Sequence, residues 1–202
     1  MNRKNLKILE LGASSFSQVA FEFDQTESKI MIGFYAPSDE KEITEKLFKM
    51  SNIYQLKSEY NCSKIDALSI KGKYDVIIMK SVLGGIFRND TARIDDYCCC
   101  LASKNLEKGG LLITIDNGKS IFERFLKNHG SRKSGWHFFS GVELLNADEQ
   151  VSFGFFSCFE LSNRLGIFGR LLETLLYLVD RCLNKFFKFF PTVICSVYRS
   201  IN

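Results

Sequence analysis

The sequence predicts an α/β fold on a mostly parallel sheet, and three observations carry that expectation. Short apolar runs bounded by glycine turns recur through the first 120 residues. Stretches of helix length separate them. After about residue 130 the pattern changes to strand-like segments enclosing a long apolar stretch. Strands alternating with helices imply parallel neighbours with both sheet faces covered.

The first run, Lys7 to Leu11 (Lys-Ile-Leu-Glu-Leu), ends at Gly12 and reads as a buried strand. A helix-length stretch from Ser15 to Phe23 leads to the second run, Lys29 to Phe34, which completes a β-α-β unit. Ser38 is placed to cap a helix over Glu40 to Met50, where Ile43, Leu47 and Phe48 form one apolar stripe. The turn Lys71-Gly72-Lys73 opens the run Tyr74 to Met79, and Asp75 reads as a strand-start carboxylate that caps backbone amides. A helix over Ile94 to Leu106 then precedes Lys108-Gly109 and the run Gly110 to Ile115. Val151 to Leu161 and Thr192 to Arg199 are expected to pair antiparallel, with a helical insertion between them.

Composition narrows the class. A chain of 202 residues that is 46% hydrophobic, with two prolines and nineteen phenylalanines, can bury a substantial core and is not of disordered type. Without a repeat or a Pro/Ser-rich linker, residues 1–202 read as one domain, with Ser131 to Gly135 as an exposed loop. The net charge of +4 falls short of a dedicated basic stripe, so no nucleic-acid partner is expected. Seven cysteines, three of them consecutive as Cys98-Cys99-Cys100, follow no secretory leader, which suggests a reducing cytoplasmic setting. No CxxC pair occurs, and His129 and His137 lie far from any cysteine, so no zinc site is expected. The acidic pair Asp95-Asp96 opens a helix, where carboxylates favour the dipole, and no magnesium site is expected there.

The order strand, Glu-Leu-Gly-Ala-Ser, helix, strand, then Lys-Tyr-Asp-Val-Ile-Ile-Met-Lys-Ser and Leu-Glu-Lys-Gly-Gly-Leu-Leu-Ile-Thr resembles the class I S-adenosylmethionine-dependent methyltransferases over roughly residues 6 to 120. The resemblance implies a Rossmann-like, seven-stranded, mostly parallel sheet with an antiparallel last strand and a helical insertion before it. Residues 1–120 would then form a cofactor-binding half and residues 121–202 a substrate-side half. It implies S-adenosyl-L-methionine as cofactor, with Glu10, Gly12, Ser14 and Phe16 at the glycine turn after the first strand. A tight turn there lets backbone approach the ligand, and the carboxylate favours its ammonium group. Where the family places a ribose-binding acid after the second strand, this chain has Tyr35, which either hydrogen-bonds the ribose or packs on the adenine, unless a carboxylate from the next helix reaches back. Asn61 and Ser63 fall where the adenine amino group is recognised, and Lys80 and Ser81 stand at a strand tip where ligands of open sheets gather.

The stretch 165–190 sets Phe and Leu against Arg and Lys in amphipathic spacing but lacks an uninterrupted apolar span of about 20 residues, so it is not expected to cross a membrane. It packs as core or lid, lies on an anionic membrane surface at the inner face, or forms a homodimer contact. By analogy alone, a tail of this kind resembles small methyltransferases of bacterial surface-polysaccharide gene clusters. The function expected is O-methylation of a small or carbohydrate acceptor, with His137, His129 or Lys80 as catalytic candidates. Gly135 to Phe139 can equally be a packed aromatic patch. The alternative is a methyltransferase-like protein that has lost cofactor binding and serves as an interaction or membrane-surface module.

Overall fold

The structure is a computed structural model. It describes residues 4–12, 19–34, 37–53, 55–88, 90–119, 135–140, 143–144, 146–153, 193–200, and positions 166–169, 171, 172, 174, 175, 178, 179 and 182.

Seven strands form one sheet: β1 (Lys7–Leu11), β2 (Lys29–Phe34), β3 (Glu59–Lys64), β4 (Tyr74–Lys80), β5 (Leu106–Asn117), β6 (Glu149–Phe153) and β7 (Val193–Arg199). Their order is β3-β2-β1-β4-β5-β7-β6. β1 runs parallel to β2 and β4, and β2 runs parallel to β3. The β5-β7-β6 end is antiparallel, as expected for the closing strands, and helical residues at 166–169 and beyond lie in sequence before β7. Helices α1 (Pro37–Ile53), α2 (Leu83–Ile86) and α3 (Ile94–Asn105) lie earlier in the chain.

The chain divides into two compact units, the first comprising 1–82, 96–114 and 197–202, and the second 83–95 and 115–196. In the first unit, β1 and β4 are nearly wholly buried and, apart from Glu10, Asp75 and the terminal lysines, apolar on both faces, which is the signature of central parallel strands. Leu6, Ile8, Ile30, Ile32, Phe34, Ile43, Val76 and Ile78 form one core, with Leu47 of α1 packed on it. Phe48, read into the same stripe, is instead exposed, since its neighbour Leu47 already faces the sheet. Asp75 accepts a hydrogen bond from the Lys7 amide at 2.8 Å, the strand-start role its position suggests.

Two expectations shift. The stretch read as a helix from Ser15 to Phe23 lies partly outside the described residues, and its described end is a 3₁₀ segment, Val19–Thr26. Asp24 explains that end: its buried carboxylate accepts from the Lys57 and Ser58 amides and from the Tyr60 hydroxyl, an anchorage a continuing α-helix would not offer. Strand β5 begins at Leu106 rather than Gly110. There the glycine pair lies inside the strand, and a Cβ on Gly110 would fall 2.8 Å from the Glu107 carbonyl and 3.0 Å from that of Asp75. Close backbone approach is what requires Gly110, while Gly109 holds φ +70°, the left-handed conformation expected of a turn.

Candidate active site

The carboxyl ends of β1, β2, β3 and β4 meet at one edge because the register aligns them. Leu11 pairs with Gly33 on one side and with Met79 on the other, and Gly33 pairs with Ser63. This is the edge where open α/β sheets receive ligands. Glu10, one residue before the tip of β1, is completely buried. Gly12 follows it with φ +87°, a left-handed conformation that L side chains avoid. A Cβ there would lie 2.3 Å from a Val82 methyl carbon and 2.6 Å from the Lys80 carbonyl oxygen. The turn is therefore open to glycine alone, on grounds of both space and dihedral.

Gly33 was not singled out in the sequence, yet it completes this edge. A Cβ at Gly33 would stand 2.9 Å from the Leu11 side chain and 3.3 Å from the Ile65 Cβ. Ser81, just past β4, holds φ +53°, a conformation costing a non-glycine residue on the order of 1 kcal/mol and concentrated at functional sites. Lys80 is exposed at the same tip. Ser63 reaches the edge in register with Gly33, whereas Asn61 sits two residues short of it, with its amide donating to Glu59 at 3.3 Å. Ser14, Phe16, Tyr35 and His129 lie outside the described residues.

A second polar centre lies within the other unit. His137 is held by its backbone: its amide donates to the Gly84 carbonyl at 2.9 Å, and a Cβ on Gly84 would come within 2.1 Å of the His137 carbonyl oxygen. Its ring meets Phe139 edge-on at 4.9 Å, so the aromatic patch and the polar role are the same structure. The Nε2 atom of His137 is hydrogen-bonded to Glu143. Glu143 also accepts from Lys119 Nζ at 2.9 Å, from the Ser140 hydroxyl at 2.8 Å and from the Ser140 amide at 3.0 Å. Burial pushes this carboxyl up, but the bonds from His137, Lys119 and Ser140 outweigh it and hold the group at about 2.

Asp116, near the end of β5, is a buried carboxyl of the same unit. Burial drives it up to about 7, against the pull of hydrogen bonds from the Leu83 and Gly84 amides at the start of α2. Its Oδ2 has no hydrogen-bond partner among the described residues. Neither Asp116 nor Glu143 announced itself in the sequence. The one available signal was a carboxylate, Asp116, in the apolar run Leu-Leu-Ile-Thr-Ile-Asp near its carboxyl end.

Comparison of the sequence with protein-family models and with curated proteins finds no match. Solved structures do match, over nearly the whole chain. The N-methyltransferase NodS from Bradyrhizobium japonicum WM9, solved with S-adenosyl-L-homocysteine, superposes with a TM-score of 0.54 at 14% identity over 98% of this chain and 80% of that one. The fold is that of the class I methyltransferases. Geranyl diphosphate C-methyltransferase from Streptomyces coelicolor A3(2), in complex with Mg2+, geranyl diphosphate and S-adenosyl-L-homocysteine, gives a TM-score of 0.60 at 8% identity over 98% and 76%. The cyclopropane synthase MmaA2 from Mycobacterium tuberculosis gives 0.60 at 9% over 98% and 79%. Identities this low establish the fold and leave the chemistry to the site.

Proposed function

We propose that the chain is an S-adenosylmethionine-dependent methyltransferase that methylates a hydroxyl of a small or carbohydrate acceptor. The observation that carries the reading is the β1 edge: a buried carboxylate, Glu10, beside a left-handed glycine turn that admits no Cβ, aligned with the tips of β2, β3 and β4. Those residues fit the cofactor's methionyl end: Glu10 would favour its ammonium group, the Gly12 backbone would allow its close approach, and Ser63 and Ser81 would offer hydrogen bonds to its polar remainder. The second-strand acid is replaced by Tyr35. When bound, the cofactor supplies an electrophilic methyl group on sulfur, and its transfer leaves a thioether.

The chain's own contribution is a base and its orientation. Within the second unit, His137 is paired through Nε2 with ionised Glu143, and a tautomer that donates from Nε2 would leave the Nδ1 lone pair to accept a hydroxyl proton. Glu143 then stabilises the imidazolium that forms, and Lys119 and Ser140 keep Glu143 in place. Carbohydrate hydroxyls are the first acceptors to try, on the resemblance to surface-polysaccharide enzymes, and the cysteine usage accords with a reducing cytoplasm.

Calorimetric titration with S-adenosylmethionine and S-adenosylhomocysteine tests the cofactor reading. Wild type should bind in the micromolar range, Gly12→Asp should not bind, and Glu10→Gln should weaken binding by about tenfold or more, the worth of a charge-assisted hydrogen bond. No binding by wild type at millimolar ligand removes the catalytic reading and leaves the non-catalytic module, which the lack of a carboxylate in Gly33-Phe34-Tyr35 already motivates.

A further inference from the structure

The described helical positions between 166 and 182 carry an exposed apolar face. At 100° per residue, positions 167, 168, 171, 172, 174, 175, 178, 179 and 182 fall within about 160° of arc. They hold two aromatic or branched residues at the start, then leucines, a valine, a threonine and a cysteine. Ile167, Phe168 and Leu171 are 73%, 76% and 66% exposed, and Leu175, Leu178 and Cys182 are exposed as well. Gly169, buried, has a phase on the far side of this arc. An amphipathic helix of a soluble domain normally turns its apolar stripe inward. Here the stripe faces out, over an apolar surface too continuous to be scattered single residues.

Charge selects the occupant. Residues 164–190 contain Arg164, Arg170, Arg181, Lys185 and Lys188 against Glu173 and Asp180, a net of +3. A two-fold contact between copies would set this surplus against itself, because an isologous interface pairs each patch with its own image. An anionic lipid surface has the complementary charge, and its interior takes the leucines and phenylalanines. In sequence the lysines interleave with phenylalanines as Lys-Phe-Phe-Lys-Phe-Phe over 185–190, the mixture that interfacial helices use. No described helix is long and apolar enough to cross a membrane. We infer that this helix face docks on an anionic membrane surface, with its exposed leucine, isoleucine and phenylalanine side chains in the acyl boundary and the net positive charge of the 164–190 sequence drawing it to the headgroups.

Co-sedimentation of the full chain with vesicles tests this. Vesicles of phosphatidylglycerol in phosphatidylcholine should bind on the order of 100-fold more tightly than pure phosphatidylcholine, as expected for three net positive charges near the surface. Raising salt from about 0.1 to about 1 M should remove most of that preference. Leu171→Glu with Leu175→Glu should abolish binding. Both side chains are largely solvent-exposed, so the variant should keep its circular-dichroism spectrum and melting temperature. Lys185→Glu with Lys188→Glu should lose the preference for anionic lipid. Equal sedimentation of wild type with and without vesicles would overturn the inference, as would binding indifferent to the leucine substitutions. A concentration-dependent dimer that the leucine substitutions dissociate would also overturn it, assigning the face to a second copy.

Discussion

Replacing Asp116 by asparagine should stabilise the protein at neutral and alkaline pH, and the structure sets both size and sign. Asp116 is 2% exposed, and burial lifts it from 3.8 to about 7. The folded state therefore holds this proton more tightly than the unfolded chain does. Stability contributed by the protonated form is complete below about pH 4, falls as pH rises toward 7, and is flat above. A shift of about three units corresponds to about 4 kcal/mol across that window. Asparagine keeps an oxygen for the Leu83 and Gly84 amides and carries no charge to bury. Its amino group takes the place of Oδ2, which finds no partner among the described residues, and that returns about 1 to 3 kcal/mol of the gain. That penalty applies at every pH, so the variant should be about 1 to 2 kcal/mol less stable than wild type near pH 4 and about 2 kcal/mol more stable near pH 8. Urea denaturation of both proteins across this range gives the difference curve, in which every other titration cancels. A flat difference curve, or a variant less stable than wild type near pH 8, would refute the reasoning by showing that Asp116 is ionised and satisfied in the fold.

Two further substitutions separate the polar centre from the cofactor edge. Glu143→Gln should cost about 2 kcal/mol at neutral pH, because the hydrogen bonds to His137 and Lys119 lose their charge assistance. In wild type the stability from ionised Glu143 is present above pH 4.5 and lost as pH falls toward 2, and urea titrations of the variant should lack that acid limb. Gly84→Ala should drop methyl transfer by at least about 100-fold, since its Cβ displaces the His137 carbonyl, yet leave S-adenosylhomocysteine binding within about threefold of wild type; calorimetry beside a product assay checks both.

The central strands were legible because burial on both faces leaves an unbroken apolar run, and β1, β2 and β4 are such runs. β3 was not: at the sheet edge its residues Glu-Tyr-Asn-Cys-Ser-Lys include none fully buried, so no apolar run marks it. The 3₁₀ segment over Val19–Thr26 was hidden for a different reason. Its cause is the Asp24 carboxylate gripping residues more than thirty positions away, and local periodicity carries no trace of that.

The same division explains the candidate site. Gly12 could be read from its place after a buried strand, because a single local geometry, the turn, decides what stands there. His137 was ambiguous between base and aromatic packing because sequence shows only its neighbours Trp136, Phe138 and Phe139. Its electrostatic character comes from Glu143, and that of Glu143 comes from Lys119, twenty-four residues earlier. A histidine packed against Phe139 without a carboxylate partner would be an apolar filler. With Glu143 held ionised against its own burial by three residues, the ring gains a carboxylate partner that fixes its orientation. That combination, rather than the aromatic cluster around it, is what favours His137 over Lys80, whose side chain stands exposed at the tip of β4.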